Sequence, residues 1–154
     1  MNLQEASQLV ETSIQGLNID PVASRKENPG QWNITVNGAP VYIDVFNFPT
    51  TPENYYVQVC SPLFKVPEKN NEAFYVDLLE INYDMYSCAI CKKGDWFYIM
   101  SLRPAKGLDQ VEINWIMDKV SFYSNDYYSK LSFKYKGSWP PAPLPTDVTG
   151  NKAP

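Results

Sequence analysis

The chain has 154 residues, 44% apolar and 19% charged, which is enough for one domain with its own core and too apolar for wholesale disorder. Its 13 Lys and Arg against 17 Asp and Glu leave a net charge of −4, a balance that argues against non-specific binding to nucleic acid or to an anionic membrane. Histidine is absent, which removes the commonest metal ligand and every Ser-His or Cys-His catalytic device, so composition points away from catalysis.

The first residues, Met1-Asn2-Leu3-Gln4-Glu5, lack the basic start and unbroken apolar run of a secretory signal. No apolar stretch approaches the roughly 18–20 residues that a membrane-spanning helix needs. Leu3, Ala6, Leu9, Val10, Ile14 and Leu17 recur at helical spacing and predict an amphipathic helix over 3–17. Residues 18–30, with Pro21, Pro29 and Gly30, read as a linker loop.

Trp32, Ile34 and Val36 then alternate with polar partners, as a half-buried strand does. Asn37-Gly38 supplies the two positive-φ residues of a tight hairpin. Val41, Ile43 and Val45 alternate on the return strand, which Phe48-Pro49-Thr50-Thr51-Pro52 is expected to break. Tyr55–Phe64 is expected to form a third strand, with Pro62 bending or ending it.

Asn70 or Asn71 is suited to cap a second helix over 72–82, and Asn82 to close it in the left-handed conformation. Residues 83–91 are expected to form a fourth strand, Lys92-Lys93-Gly94-Asp95 a turn, and 96–102 a fifth strand stopped by Arg103-Pro104. Ile113, Ile116, Met117, Val120, Tyr123, Tyr127 and Leu131 mark a long helix over 108–132. Residues 137–154 read as a Pro-rich tail following a domain of residues 1–136.

Short links between successive strands make their pairing antiparallel. The fold class is therefore α+β: a single antiparallel five-stranded sheet with three helices, in the order α-β-β-β-α-β-β-α.

That order resembles the type III secretion chaperone-like fold and its YbjN relatives. Leu78-Leu79-Glu80-Ile81-Asn82 is similar to the Leu-Leu-x-apolar-Asn signature that ends the family's middle helix. The turn Lys92-Lys93-Gly94-Asp95, the ending Leu102-Arg103-Pro104 and the aromatic-rich closing helix follow in the family's order, so the similarity spans about residues 3–132. Three cysteines, an odd number in a mid-sized chain, fit a reducing cytoplasm rather than a disulfide scaffold. The resemblance implies a small acidic protein of bacterial type that works independently of ATP, and no cofactor is expected. It also implies a homodimer joined through the middle helix, and a grip on a segment of a client polypeptide.

The residues themselves offer little chemistry. Cys88-Ala89-Ile90-Cys91 has redox or zinc half-site spacing, but in a strand an odd offset sends the two thiols to opposite faces, and Cys60 is the one other thiol. Strand packing is the expected role. Asp77, Glu80 and Asp84 are near in sequence, yet carboxylates on a helix surface are ordinarily just solvated. No catalytic residue, metal ligand or cofactor site is expected.

The aromatic load of 11 Tyr, 7 Phe and 4 Trp is more informative. Trp32, Trp96, Phe97 and Trp115 are expected in the core. Adjacent pairs such as Tyr55/Tyr56 must face opposite sides of a strand, so some rings reach the outside, where tyrosine suits protein recognition. The expected partner surface is Tyr55, Tyr56 and Tyr86, and the expected dimer interface is Leu78, Leu79 and Ile81. The expected function is a non-enzymatic module holding a client segment in apolar grooves between sheet and helices. The alternative is a YbjN-type sensory domain with a small-molecule pocket beneath the long helix. Pro140-x-x-Pro143 has the spacing read by polyproline-binding domains.

Overall fold

The computed structural model describes residues 1–138. The elements are α1 (Leu3–Gly16), β1 (Gln31–Val36), β2 (Ala39–Phe48), β3 (Thr51–Lys65), α2 (Asn71–Asp84), β4 (Ala89–Lys93), β5 (Trp96–Pro104) and α3 (Gln110–Lys134). The strands form one antiparallel sheet in the order β1-β2-β3-β5-β4. The expected fold class and element order are those observed. The Pro-rich segment with Pro140-x-x-Pro143 lies outside the described residues.

Each element has a local cause. Asn2 and Glu5 form a reciprocal capping box that starts α1, and Asp109 accepts from the Glu112 N–H to start α3. Asn37 and Gly38 both take positive φ, 52° and 83°, in the turn between β1 and β2. The turn between β2 and β3 is only Pro49-Thr50, because Phe48 already pairs with Thr51. β3 is therefore 15 residues long and begins earlier than expected. Pro62 does not end it. The register shifts between Pro62 and Phe64, a bulge that lets a proline sit in the interior of a central strand.

All three helices pack on one face of the sheet. Val41, Ile43, Val45, Val57, Val59, Phe97 and Ile99 meet Ala6, Val10 and Ile14 of α1, Phe74 and Leu78 of α2, and Ile113, Met117 and Val120 of α3 in a single core. α3 comes closest over β3, where small buried residues line the seam: Ser61 Oγ donates to Ser124 Oγ at 2.8 Å. Period two sends the alternate residues to the opposite face, which carries no described helix.

Several sequence expectations are corrected. Asn82 does not close α2, which continues to Asp84 with extended Met85 at its end. Asn70 precedes the helix in the left-handed conformation and makes no side-chain capping bond. Residues 83–88 are not strand: Tyr83 and Asp84 finish the helix, Ser87 has φ of 56°, and β4 is just five residues. Trp32 and Phe97 are buried, but Trp96 is half-buried on the helix-free face and Trp115 is exposed on α3.

Candidate functional site

The register builds the helix-free face row by row. Phe46 of β2 lies opposite Tyr56 of β3, and Tyr56 opposite Pro104 of β5. The next row is Asp44, Gln58 and Leu102, and the next is Tyr42, Cys60, Met100 and Ala89. Pro62, Tyr98 and Cys91 follow, then Lys65, Trp96 and Lys93. At one end Phe46, Phe48 and Tyr56 form a ring cluster, with Phe48 edge-on to Phe46 at 5.3 Å and to Tyr56 at 5.0 Å. At the other end the Lys65 ammonium stands 6.0 Å from the Trp96 ring centre.

Between these ends Tyr42, Cys60 and Tyr98 bury one another. The Cys60 thiol is pushed up to about 12 by burial and sits as a neutral apolar filler. Phe46, Phe48, Tyr56, Trp96 and Met100 are half-buried and Leu102 is exposed. The face is thus an aromatic floor with the exposed lysines Lys65 and Lys93 on either side of Trp96 at one end and the buried carboxylate of Asp44 within it. It can hold apolar and aromatic side chains.

The expected partner tyrosines do not form one patch. Tyr56 belongs to the ring cluster. Tyr55 is on the opposite face, half-buried against the core, and its carbonyl accepts from the Ala105 N–H. Tyr86 is exposed in the loop after α2, where its N–H donates to Tyr123 Oη at 3.2 Å. Sequence spacing predicted that Tyr55 and Tyr56 diverge, but it missed Phe46 and Phe48, whose partnership with Tyr56 needs the β2–β3 register.

The expected dimer residues also separate. Leu78 is 4% exposed and packs inside the core, Ile81 is half-buried against it, and Leu79 is 70% exposed. Leu79 shares its exposure with Val76 and Tyr83, three and four residues away, so the three make one apolar stripe along α2.

The remaining candidates are structural. Cys88 and Cys91 are free, and burial raises both thiols, Cys88 to about 11. Such thiols are poor nucleophiles. Asp77 binds Lys134 Nζ at 2.6 Å and Tyr135 Oη at 2.7 Å, tying α2 to the end of α3, while Glu80 and Asp84 are exposed. Among the described residues no three His, Cys, Asp or Glu side chains gather as a metal site.

The space beneath α3 is filled by Ile113, Ile116, Met117, Val120 and Leu131, all buried. A cleft of about 470 Å³ lies elsewhere, between α1 and residues 25–32, with Trp32 at its base and Glu11, Arg25, Lys26 and Glu27 around it.

No described helix is long and apolar enough to cross a membrane. No family model matches the sequence, and no curated protein does. Solved structures do share the fold. The chaperone of the HopA1–SchA chaperone–effector complex superposes with a TM-score of 0.60 at 7% identity, covering 84% of this chain and 98% of its own. ExsC of the ExsC–ExsE complex gives 0.61 at 7% identity, covering 82% and 92%. The Yersinia pestis type III secretion chaperone SycH, solved with a fragment of YscM2, gives 0.54 at 14% identity, covering 79% and 98%. The chain therefore has the α+β fold of type III secretion chaperones.

Proposed function

We propose that this chain is a chaperone- or adaptor-like binding protein of the bacterial cytoplasm, without catalytic activity, that holds a segment of a partner polypeptide and works as a homodimer. The helix-free face carries the reading. Its floor of Phe46, Phe48 and Tyr56, continued by Met100, Leu102 and Trp96, is the kind of rigid aromatic surface on which protein partners anchor. The solved proteins of this fold support it, because SchA, ExsC and SycH each stand in complex with another protein.

The self-interface we assign to the α2 stripe of Val76, Leu79 and Tyr83, with Leu78 and Ile81 supporting it from the core side. The partner surface we assign to Tyr56 and its ring neighbours. Tyr86 is left as an exposed outlying contact, and Tyr55 supports the strand from the helix side.

Affinity capture from the soluble lysate of the native host, read by mass spectrometry, tests the function. A single protein recovered near stoichiometry is expected. Recovery of the bait alone at both low and high salt contradicts it. The sensory alternative has available to it the cleft between α1 and residues 25–32, whose volume falls in the range of small-ligand sites. A thermal-shift screen separates the two readings, since a ligand at one hundred times its Kd adds about 2.7 kcal/mol.

A further inference from the structure

The described chain ends against the sheet. Ser138 is buried, its carbonyl accepts from the Glu68 N–H at 3.1 Å, and Asn70 Nδ2 donates to its Oγ at 3.4 Å. Glu68 lies just beyond the end of β3, where the Val66 N–H donates to the Asp95 carbonyl. The exit is therefore beside the row of Lys65, Trp96 and Lys93, which is one end of the helix-free face.

The middle of that face is more buried than an open sheet face. Tyr42, Asp44, Gln58, Cys60 and Tyr98 are each 8% exposed or less, and Pro62 is buried with them, although no described helix lies over them. On an uncovered sheet, neighbouring side chains shield a ring at its flanks and its outer side stays in water. The buried residues are contiguous. In register they run from Pro62 and Tyr98, through Cys60 and Tyr42, to Gln58 and Asp44. Cys91, Met100 and Leu102, in the same rows but nearer β4, are half-buried or exposed. The burial is thus confined to a strip that begins one row from the chain's exit and stops short of Phe46 and Tyr56.

The residues that follow Ser138 suit such a strip. In Trp139-Pro140-Pro141-Ala142-Pro143-Leu144-Pro145 the prolines have no N–H to give to a strand ladder, and their φ is fixed near the polyproline II value. With three residues per turn, Pro140 and Pro143 share one ridge and Pro141 and Leu144 the next, an apolar surface of the kind that aromatic-lined grooves take. At about 3.1 Å per residue the segment spans about 20 Å. On β5 the rows from Trp96 to Leu102 likewise span about 20 Å, at about 3.3 Å per residue.

We propose that Pro140–Pro145 lies along this strip of its own sheet as a polyproline II segment and covers Tyr42, Tyr98 and Cys60 in the free protein. The tether at Ser138 holds it there at high local concentration, so a weak contact suffices. Phe46, Phe48 and Tyr56 stay open. A partner segment anchored on those rings has to displace the tail to extend along the sheet; this competition, unlike the docking itself, rests on the protein-binding reading.

Nuclear magnetic resonance on the full chain is the test. Nuclear Overhauser contacts from Pro140, Pro143 and Leu144 to the Tyr42 and Tyr98 rings are expected, unchanged on dilution. Pro143→Ser/Leu144→Asp is expected to lose them and to shift the Tyr42, Tyr98 and Cys60 signals while those of Ile43 and Val59 stay in place. A peptide of residues 138–147 added to that variant is expected to restore the shifts, and the same peptide carrying both substitutions is not. Absent contacts, contacts that fade on dilution (a second copy's tail), ring signals unmoved in the variant, or equal rescue by both peptides overturn the proposal. Against the captured partner, the variant's Kd is expected to fall about tenfold if the tail holds the strip about nine-tenths of the time. Tail contacts beside an unchanged Kd uphold the docking and contradict the partner's extension along this strip.

Discussion

The side-chain amide of Asn82 pairs with both main-chain groups of Ile90. The Ile90 N–H donates to Asn82 Oδ1 at 2.6 Å, and Asn82 Nδ2 donates to the Ile90 carbonyl at 3.3 Å. Asn82 is on α2 and Ile90 is on the outer edge of β4, so one side chain imitates a neighbouring strand at that residue of the edge. At the other edge of the sheet the Asn33 N–H donates to the Ser24 carbonyl and the Lys26 N–H to the Gln31 carbonyl, so each edge carries an internal contact.

Asn82→Ala leaves both Ile90 groups without their partner. The expected cost is about 1–3 kcal/mol. In urea denaturation the midpoint falls while the slope is unchanged. Asn82→Asp keeps the acceptor and loses the donor, so its midpoint falls between those of the wild type and the alanine variant.

Two serines on the helix-covered face respond in opposite directions. Ser101 Oγ is buried and has no hydrogen-bond partner among the described residues, so Ser101→Ala removes an unrewarded desolvation and is neutral or stabilising by up to about 1 kcal/mol. Ser61→Ala strands the Ser124 hydroxyl beneath α3 and destabilises by about 1–2 kcal/mol. Chemical denaturation of the two variants side by side checks the sign.

The Lys134 ammonium, and secondarily the Tyr135 hydroxyl, holds the Asp77 carboxyl below its ordinary value, and Arg25 does the same for Glu11. A depressed carboxyl contributes stability that is present above its unfolded value, about 4, and lost as pH falls through the folded one. The protein is therefore expected to lose stability on acidification below about pH 5. Asp77→Asn gives a flatter acid limb, read as melting temperature against pH. At the alkaline end Tyr135, pushed up to about 12 chiefly by burial, loses its contribution as pH rises past about 10.

Leu78 and Leu79 are neighbours with opposite fates. Leu78→Ala opens a cavity in the core at a cost of about 2–5 kcal/mol. Leu79→Asp leaves the monomer's core intact and, if α2 is the self-interface, lowers the mass seen by sedimentation from two chains to one. An unchanged mass would remove the α2 stripe as that interface.

What the sequence made legible follows from periodicity. A sheet covered by helices on one side alternates cleanly, so Trp32, Ile34, Val36, Val41, Ile43 and Val45 announced their strands and their shared face. The same period separated Tyr55 from Tyr56. Tertiary pairings left no local mark. Asn82 reads as a helix-ending residue until Ile90 is beside it, and Arg25 reads as a loop charge until Glu11 and Trp32 are in place. The fourth strand was expected over 83–91, but Met85 is buried in a loop, Ser87 turns the chain and β4 starts at Ala89. Trp115 was expected in the core as part of the aromatic load, yet its position on α3 is exposed.

The aromatic end of the helix-free face is the centre of the account, and titration calorimetry of the captured partner tests it most directly. With wild type against Tyr56→Ala and Phe46→Ala, each checked for an unchanged melting temperature, affinity is expected to fall by more than about 1 kcal/mol, roughly fivefold or more, for each variant. An unchanged Kd in both variants would contradict the placement of the partner on this face.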